Sequence, residues 1–203
     1  MNHHQPHNLQ IVGLQKKGKM VMKNVWDLCK VLENPHRMTL LSEIYKSREG
    51  GGNVGWLVEC MNGKLEAPAV TQYLKQIECI GLLRRERCGR YVNYYDDMRE
   101  AAANVRDVAA LIRSEIMASG SYDDRGMFRA LMNAFRARVC HYLLNGGNAD
   151  KRDICQRFRH LGKYLARDLQ PAVESGLLTE YVGSYELRIP TDPVIRRVIE
   201  LAA

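Results

Sequence analysis

The chain repeats itself. Leu32-x-Asn34-Pro35-x-Arg37 returns 99 residues later as Leu131-x-Asn133-Ala134-x-Arg136. Val70, Leu74, Gly81, Leu82 and Leu83 return 95 residues later as Leu165, Leu169, Gly176, Leu177 and Leu178. The slip between the two offsets falls in the stretch 50–53 of the first copy and 145–148 of the second, where a loop absorbs changes of length at little cost. The pattern reads as a tandem duplication of one module. It divides the chain into a polar, aperiodic, disordered tail (1–20), a first domain (21–98), a linker helix and loop (99–126) and a second domain (127–203).

Apolar periodicity sets the elements of the module. Val25, Leu28, Cys29 and Leu32 recur at helical spacing and stop at Asn34-Pro35, and Pro35 opens a second helix whose stripe is Met38, Leu41, Ile44 and Tyr45. Gly50-Gly51-Gly52-Asn53 is a breaker cluster. A short helix is expected from Val54 to Cys60, a turn at Asn62-Gly63, and a longer helix from Ala67 to Ile80 closed by Gly81 in a left-handed conformation. The segments 82–87 and 91–95 flank Cys88-Gly89-Arg90 and read as a hairpin. A long helix is expected over 98–117 and a polar linker over 119–126. The second copy repeats the plan, with a hairpin over 178–189 and a final helix over 192–201. The expected fold is mainly α with small β-hairpin wings, as tandem winged helix-turn-helix domains.

No run of about 18 apolar residues is present, which excludes a membrane-spanning helix. The first 20 residues lack the apolar core of a signal peptide, so a cytoplasmic protein is expected. Cys29, Cys60, Cys79, Cys88, Cys140 and Cys155 are scattered singly, mostly in apolar helical stretches, which points to packing rather than disulfides. His3, His4 and His7 lie in the polar tail, where they either bind a metal weakly or are simply part of that tail. The net charge of +7 is concentrated in the tail and in the second copy. It is compatible with nucleic acid without establishing it.

Three segments of the first copy carry a family likeness. Leu32-Glu33-Asn34-Pro35-His36-Arg37-Met38-Thr39-Leu40-Leu41 resembles the opening helices of the arsenic-repressor (ArsR-like) family of winged helix-turn-helix regulators. The segment from Ala67 to Ile77 resembles its recognition helix, and that from Gly81 to Tyr94 resembles its wing. The likeness covers about residues 24–98; the second copy is similar in plan and has drifted further. It implies a sequence-specific, DNA-binding transcriptional regulator with double-stranded DNA as partner.

A recognition helix in the major groove needs short or hydrogen-bonding side chains. Pro68, Ala69, Thr71, Gln72, Tyr73, Lys75 and Gln76 meet that need, with Gln72 suited to adenine, while Val70, Leu74 and Ile77 point inward. The wing carries Arg84, Arg85, Arg87 and Arg90; alternation places Arg85 and Arg87 on one face, within reach of phosphates or a minor groove. In the second copy Lys151, Arg152, Arg157, Arg159, His160, Lys163 and Arg167 surround the equivalent turn and helix, for phosphate contact with weaker reading of sequence. Its wing lacks the arginines, which leaves open a degenerate copy kept for packing or dimerisation.

Metal-sensing relatives carry a Cys-x-Cys pair where this chain has Glu59-Cys60-Met61, and the stretch 98–117 has no histidine. One thiolate does not make a soft-metal site, so neither metal nor cofactor is expected. Cys60 and Cys88 stay open as redox switches, Cys88 because Arg87 and Arg90 flank it. No catalytic constellation is recognisable, and an enzyme is not expected. Two functional readings remain: a DNA-binding regulator, and a winged-helix scaffold that binds proteins. For the regulator, one chain could imitate the family's usual dimer, or two chains could pair through helix 98–117.

Overall fold

A computed structural model describes residues 24–99, 101–159 and 164–202; the tail expected over 1–20 lies outside them. The first half runs α1 (Asn24–Leu32), α2 (Pro35–Lys46), β1 (Gly51–Asn53), α3 (Val54–Cys60), α4 (Ala67–Cys79), β2 (Arg84–Cys88), β3 (Tyr91–Tyr95) and α5 (Ala103–Ser119). The second half runs α6 (Arg125–Leu131), α7 (Ala134–Gly146), β4 (Asn148–Asp150), α8 (Lys151–Arg157), α9 (Leu165–Glu174), β5 (Leu178–Tyr181), β6 (Ser184–Leu187) and α10 (Pro193–Glu200). The order of helices and strands is the same in both. The protein is mainly helical, with two small antiparallel sheets of order β1-β3-β2 and β4-β6-β5.

Side-chain caps fix the helix starts. Asn34 accepts from the Arg37 amide (3.1 Å), Asn53 from the Trp56 amide (2.9 Å), Asn133 from the Phe135 amide (2.8 Å) and Asp192 from the Val194 amide (2.7 Å). Each satisfies an amide that the first helical turn leaves without an intrahelical partner. The Asn62-Gly63 turn is left-handed at both residues, and Gly81 closes α4 with φ of +82°. A side chain on Gly81 would also press on the backbone of Ala101, whose Cα would lie 2.8 Å from the added Cβ.

The cluster 50–53, read as a breaker, instead supplies the third strand of its sheet, and 148–150 does the same in the second half. The glycines make the strand possible rather than interrupting it. A Cβ on Gly51 would lie 2.6 Å from the Tyr95 ring, and one on Gly52 only 2.2 Å from the ring of Trp56. Each sheet buries one central tyrosine, Tyr94 between Gly52 and Arg85 and Tyr185 between Ala149 and Glu180.

The helix expected over 98–117 begins at Ala103 and ends at Ser119. Ahead of it, Asp97 accepts from the Arg99 amide, and the Ala101 amide closes a turn on the Met98 carbonyl, so the chain bends before the helix starts. The loop expected over 119–126 shortens, because α6 starts at Arg125.

The two halves meet element on like element: α1 packs on α6, and α5 packs on α10. Val105, Val108, Ala109, Ile112 and Ile116 of α5 and Val194, Ile195, Val198 and Ile199 of α10 are all buried. Burial of a side chain of this kind contributes roughly 1.5–3 kcal/mol. Arg129 to Glu33 (2.8 Å) and Arg197 to Asp107 (2.6 Å) cross the same seam. Contact of α1 with its counterpart α6 and of α5 with its counterpart α10 is the pattern of a two-fold interface, realised here within one polypeptide. The buried side chains of both halves form one continuous cluster.

Candidate nucleic-acid interface

Helix α4 stands on Val70, Leu74 and Ile77, all fully buried, as its spacing predicts. Its opposite face carries Pro68, Gln72 and Lys75, all exposed, with Ala69 half-buried. Glu66 at the N-cap position makes no side-chain cap bond. Amides of the first turn thus keep the partial positive charge of a helix N-terminus.

Three other residues expected on this face are engaged by the protein itself. Thr71 donates its hydroxyl to the Ala67 carbonyl (2.8 Å). Tyr73 stacks on His36 with ring centroids 6.1 Å apart, and the Arg37 guanidinium lies 5.8 Å from its centroid. Gln76 accepts a hydrogen bond from Arg37. Arg37 also donates to the carbonyls of Val31 (2.8 Å) and Lys30 (2.6 Å), so it ties α1, α2 and α4 together. Partial burial lowers its pKa, opposed by Tyr73 and Glu33. Its role was written in the Asn-x-x-Arg repeat, which the sequence displays without saying what it holds.

The β2–β3 hairpin sorts its arginines. Arg84 is drawn back by Asp97 (2.8 Å) and Glu86 (3.0 Å) and lies over the Tyr95 ring. Arg85 is 49% exposed, 3.5 Å from Glu78 of α4, which ties the hairpin to that helix. Arg87 donates to the Gly89 carbonyl at the turn (3.2 Å), and Arg90 donates to the Tyr91 hydroxyl (2.7 Å). Arg85 and Arg87 pair with Tyr94 and Val92 in register and share one face of the strand. The Arg85–Glu78 pair thus sets the hairpin beside α4, with Arg87 and Arg90 exposed further along it.

The second half departs from this at the same positions. Opposite the buried Tyr185 stands Glu180, where Tyr94 faces Arg85. Glu180 is paired with Lys151 (2.6 Å) and accepts from the Tyr185 hydroxyl (3.2 Å). The hydrogen bond from Lys151 pulls the carboxyl below its ordinary range, while burial and Glu180 push the Tyr185 phenol up to about 12. The hairpin tip exposes Tyr181 and Val182 in place of arginines. Arg159 is exposed, as is Arg167, which lies over the Tyr164 ring at 5.6 Å. His160 and Lys163 lie outside the described residues.

The cysteines divide more evenly than their apolar surroundings suggest. Cys29 and Cys140 are buried and Cys60 half-buried, whereas Cys79, Cys88 and Cys155 are exposed near element ends. Burial, aided by Glu43 and Glu59, raises the Cys60 thiol pKa, which opposes a reactive thiolate there. Among the described residues no group of three His, Cys, Asp or Glu side chains is placed to hold a metal, and no helix is long and apolar enough to cross a membrane.

No known family model, curated protein or solved structure matches this chain.

Proposed function

We propose that the protein is a sequence-specific, DNA-binding transcriptional regulator built from two winged helix-turn-helix modules in one polypeptide, and that it is not an enzyme. The observation that carries this reading is the placing of exposed Gln72 and Lys75 on α4 beside a hairpin that exposes Arg85, Arg87 and Arg90. In this reading α4 enters the major groove, Gln72 reads a base edge, Pro68, Ala69 and Thr71 line the approach, and the hairpin arginines take phosphates or the adjacent minor groove. Tyr73 and Gln76, held by Arg37, position the helix. Because α10 covers the apolar face of α5, one chain presents both modules without a second copy.

The test is selection of the full chain against a random pool of duplex DNA at near-physiological salt. An enriched motif supports sequence reading. Retention that salt abolishes, with no motif, reduces the reading to backbone binding. The absence of any retention would overturn it in favour of a protein-binding scaffold, a reading that the exposed Tyr181, Val182 and Ile189 of the second half favour.

A further inference from the structure

The second half holds a pocket whose polar lining its twin does not repeat. It opens between α7, the end of α8 and the end of α10, and measures about 350 Å³. No residue of α9 or of the β5–β6 hairpin lines it, so it is separate from the surface proposed for DNA. Its polar groups are Arg138, His141, Asn145 and Arg157, its aromatic walls are Tyr142 and Phe158, and among the described residues no acidic side chain lines it.

Its chemistry is one-sided. Among the described residues neither Arg138 nor Arg157 is ion-paired. Among the described residues Arg138 Nε is a buried donor with no acceptor, an arrangement that costs free energy unless something fills it. The Arg157 guanidinium lies 4.7 Å from the centroid of the Tyr142 ring, which stands edge-on to Phe158 with centroids 5.9 Å apart. His141 Nδ1 lies 3.0 Å from the Ile199 carbonyl of α10, and Asn145 donates to the His141 carbonyl at 2.9 Å.

The twin positions in the first half contain no such set. Register from the two capping asparagines places Thr39, Ser42, Glu43 and Lys46 opposite Arg138, His141, Tyr142 and Asn145, and helix α3 ends with Cys60 where α8 ends with Arg157. There Glu43 and Lys46 close on each other at 2.6 Å. Common packing therefore does not account for the cationic pocket.

We infer that this pocket binds a small aromatic carboxylate, its anionic end held by Arg138 and Arg157 and its ring packed against Tyr142 and Phe158. A guanidinium matches a carboxylate fork geometrically. The volume, within the usual range for small-molecule sites, exceeds what a bare inorganic anion fills. A ligand there touches α7, the end of α8 and Ala202 just beyond α10, and α10 is the helix that meets α5 across the seam.

The experiment is calorimetric titration of the full chain with benzoate, phenylacetate and indole-3-acetate, alongside benzyl alcohol and inorganic phosphate. At least one carboxylate is expected to bind saturably, benzyl alcohol not at all, and phosphate far more weakly. Arg138→Met and Asn145→Asp are each expected to weaken the carboxylate about tenfold or more, from the loss of a charge-assisted bond and from repulsion respectively. Asn145 is exposed, so its variant decides the question if Arg138→Met does not fold. No saturation by any of the three carboxylates up to about 10 mM would overturn the inference. So would phosphate binding as tightly as the best of them, or undiminished affinity in a folded variant. None of these readouts involves DNA.

Discussion

Arg37 and Arg136 make the same clamp in the two halves: each donates from its guanidinium to two successive carbonyls at the end of the preceding helix. For Arg37 these belong to Lys30 and Val31, and for Arg136 to Arg129 and Ala130. The third arm reaches Gln76 of α4 in one case and the Asp168 carbonyl of α9 in the other. Arg136 is the more deeply buried, at 8% exposure. Its replacement by Met leaves helix-end carbonyls without donors. We expect Arg136→Met to cost about 2–4 kcal/mol in urea unfolding, and Arg37→Met less because water reaches its partners. Equal small losses would show that the clamp does not stabilise the fold.

Gly52 has no room for a methyl group beside Trp56. Gly52→Ala forces the indole to move or strips β1 from its sheet, at a cost of about 1–3 kcal/mol. Gly63, at φ of +73° with open space around it, should suffer only the smaller strain of its backbone conformation when changed to Ala. Thermal unfolding of the two variants side by side checks the order.

Asp124, at the start of α6, has its carboxyl pushed from 3.8 to about 6, first by burial and then by Asp192. The folded state therefore holds this proton more tightly than the unfolded chain does. Its contribution to stability is lost as pH rises through about 6, and the penalty on the ionised group is relieved as pH falls towards 3.8. Asp124→Asn is expected to raise the melting temperature at neutral pH, with the gain shrinking as acidity increases. A gain that does not depend on pH would remove the charge explanation.

Thiol labelling of the native chain should separate the cysteines. Burial pushes Cys29 and Cys140 up to about 12, which leaves them protonated and out of reach. Cys79, Cys88 and Cys155 are exposed. Brief alkylation followed by peptide mass spectrometry should modify these three first. Early modification of Cys29 or Cys140 would mean that the core opens readily.

On the proposed DNA surface, Gln72→Ala should flatten the preference for one base while leaving non-specific binding intact. Arg87→Ala should weaken all sequences alike and reduce the salt slope by about one ion. Competition binding at several salt concentrations distinguishes the two effects. The opposite assignment would mean that the hairpin, not α4, reads the bases.

Helix α4 and both hairpins were legible because buried Val70, Leu74 and Ile77 keep helical spacing and because turn glycines bracket the strands. The β1 strand was not, since Gly51 and Gly52 join the sheet through their lack of a side chain, and sequence registers only that lack as a break. Likewise, nothing in the sequence shows that Arg37 reaches from α2 to Gln76 and Tyr73 of α4. That contact crosses 39 residues and has no local signature.

In an ordinary two-fold dimer every substitution is made twice, once on each side of the axis. Here the seam between α5 and α10 lies within one translated chain, so each side can change alone. Glu180 can stand where its twin is Arg85, and Arg157 where its twin is Cys60, without disturbing the partner half. A symmetric frame held within one chain thus lets its two sides carry different surface chemistry.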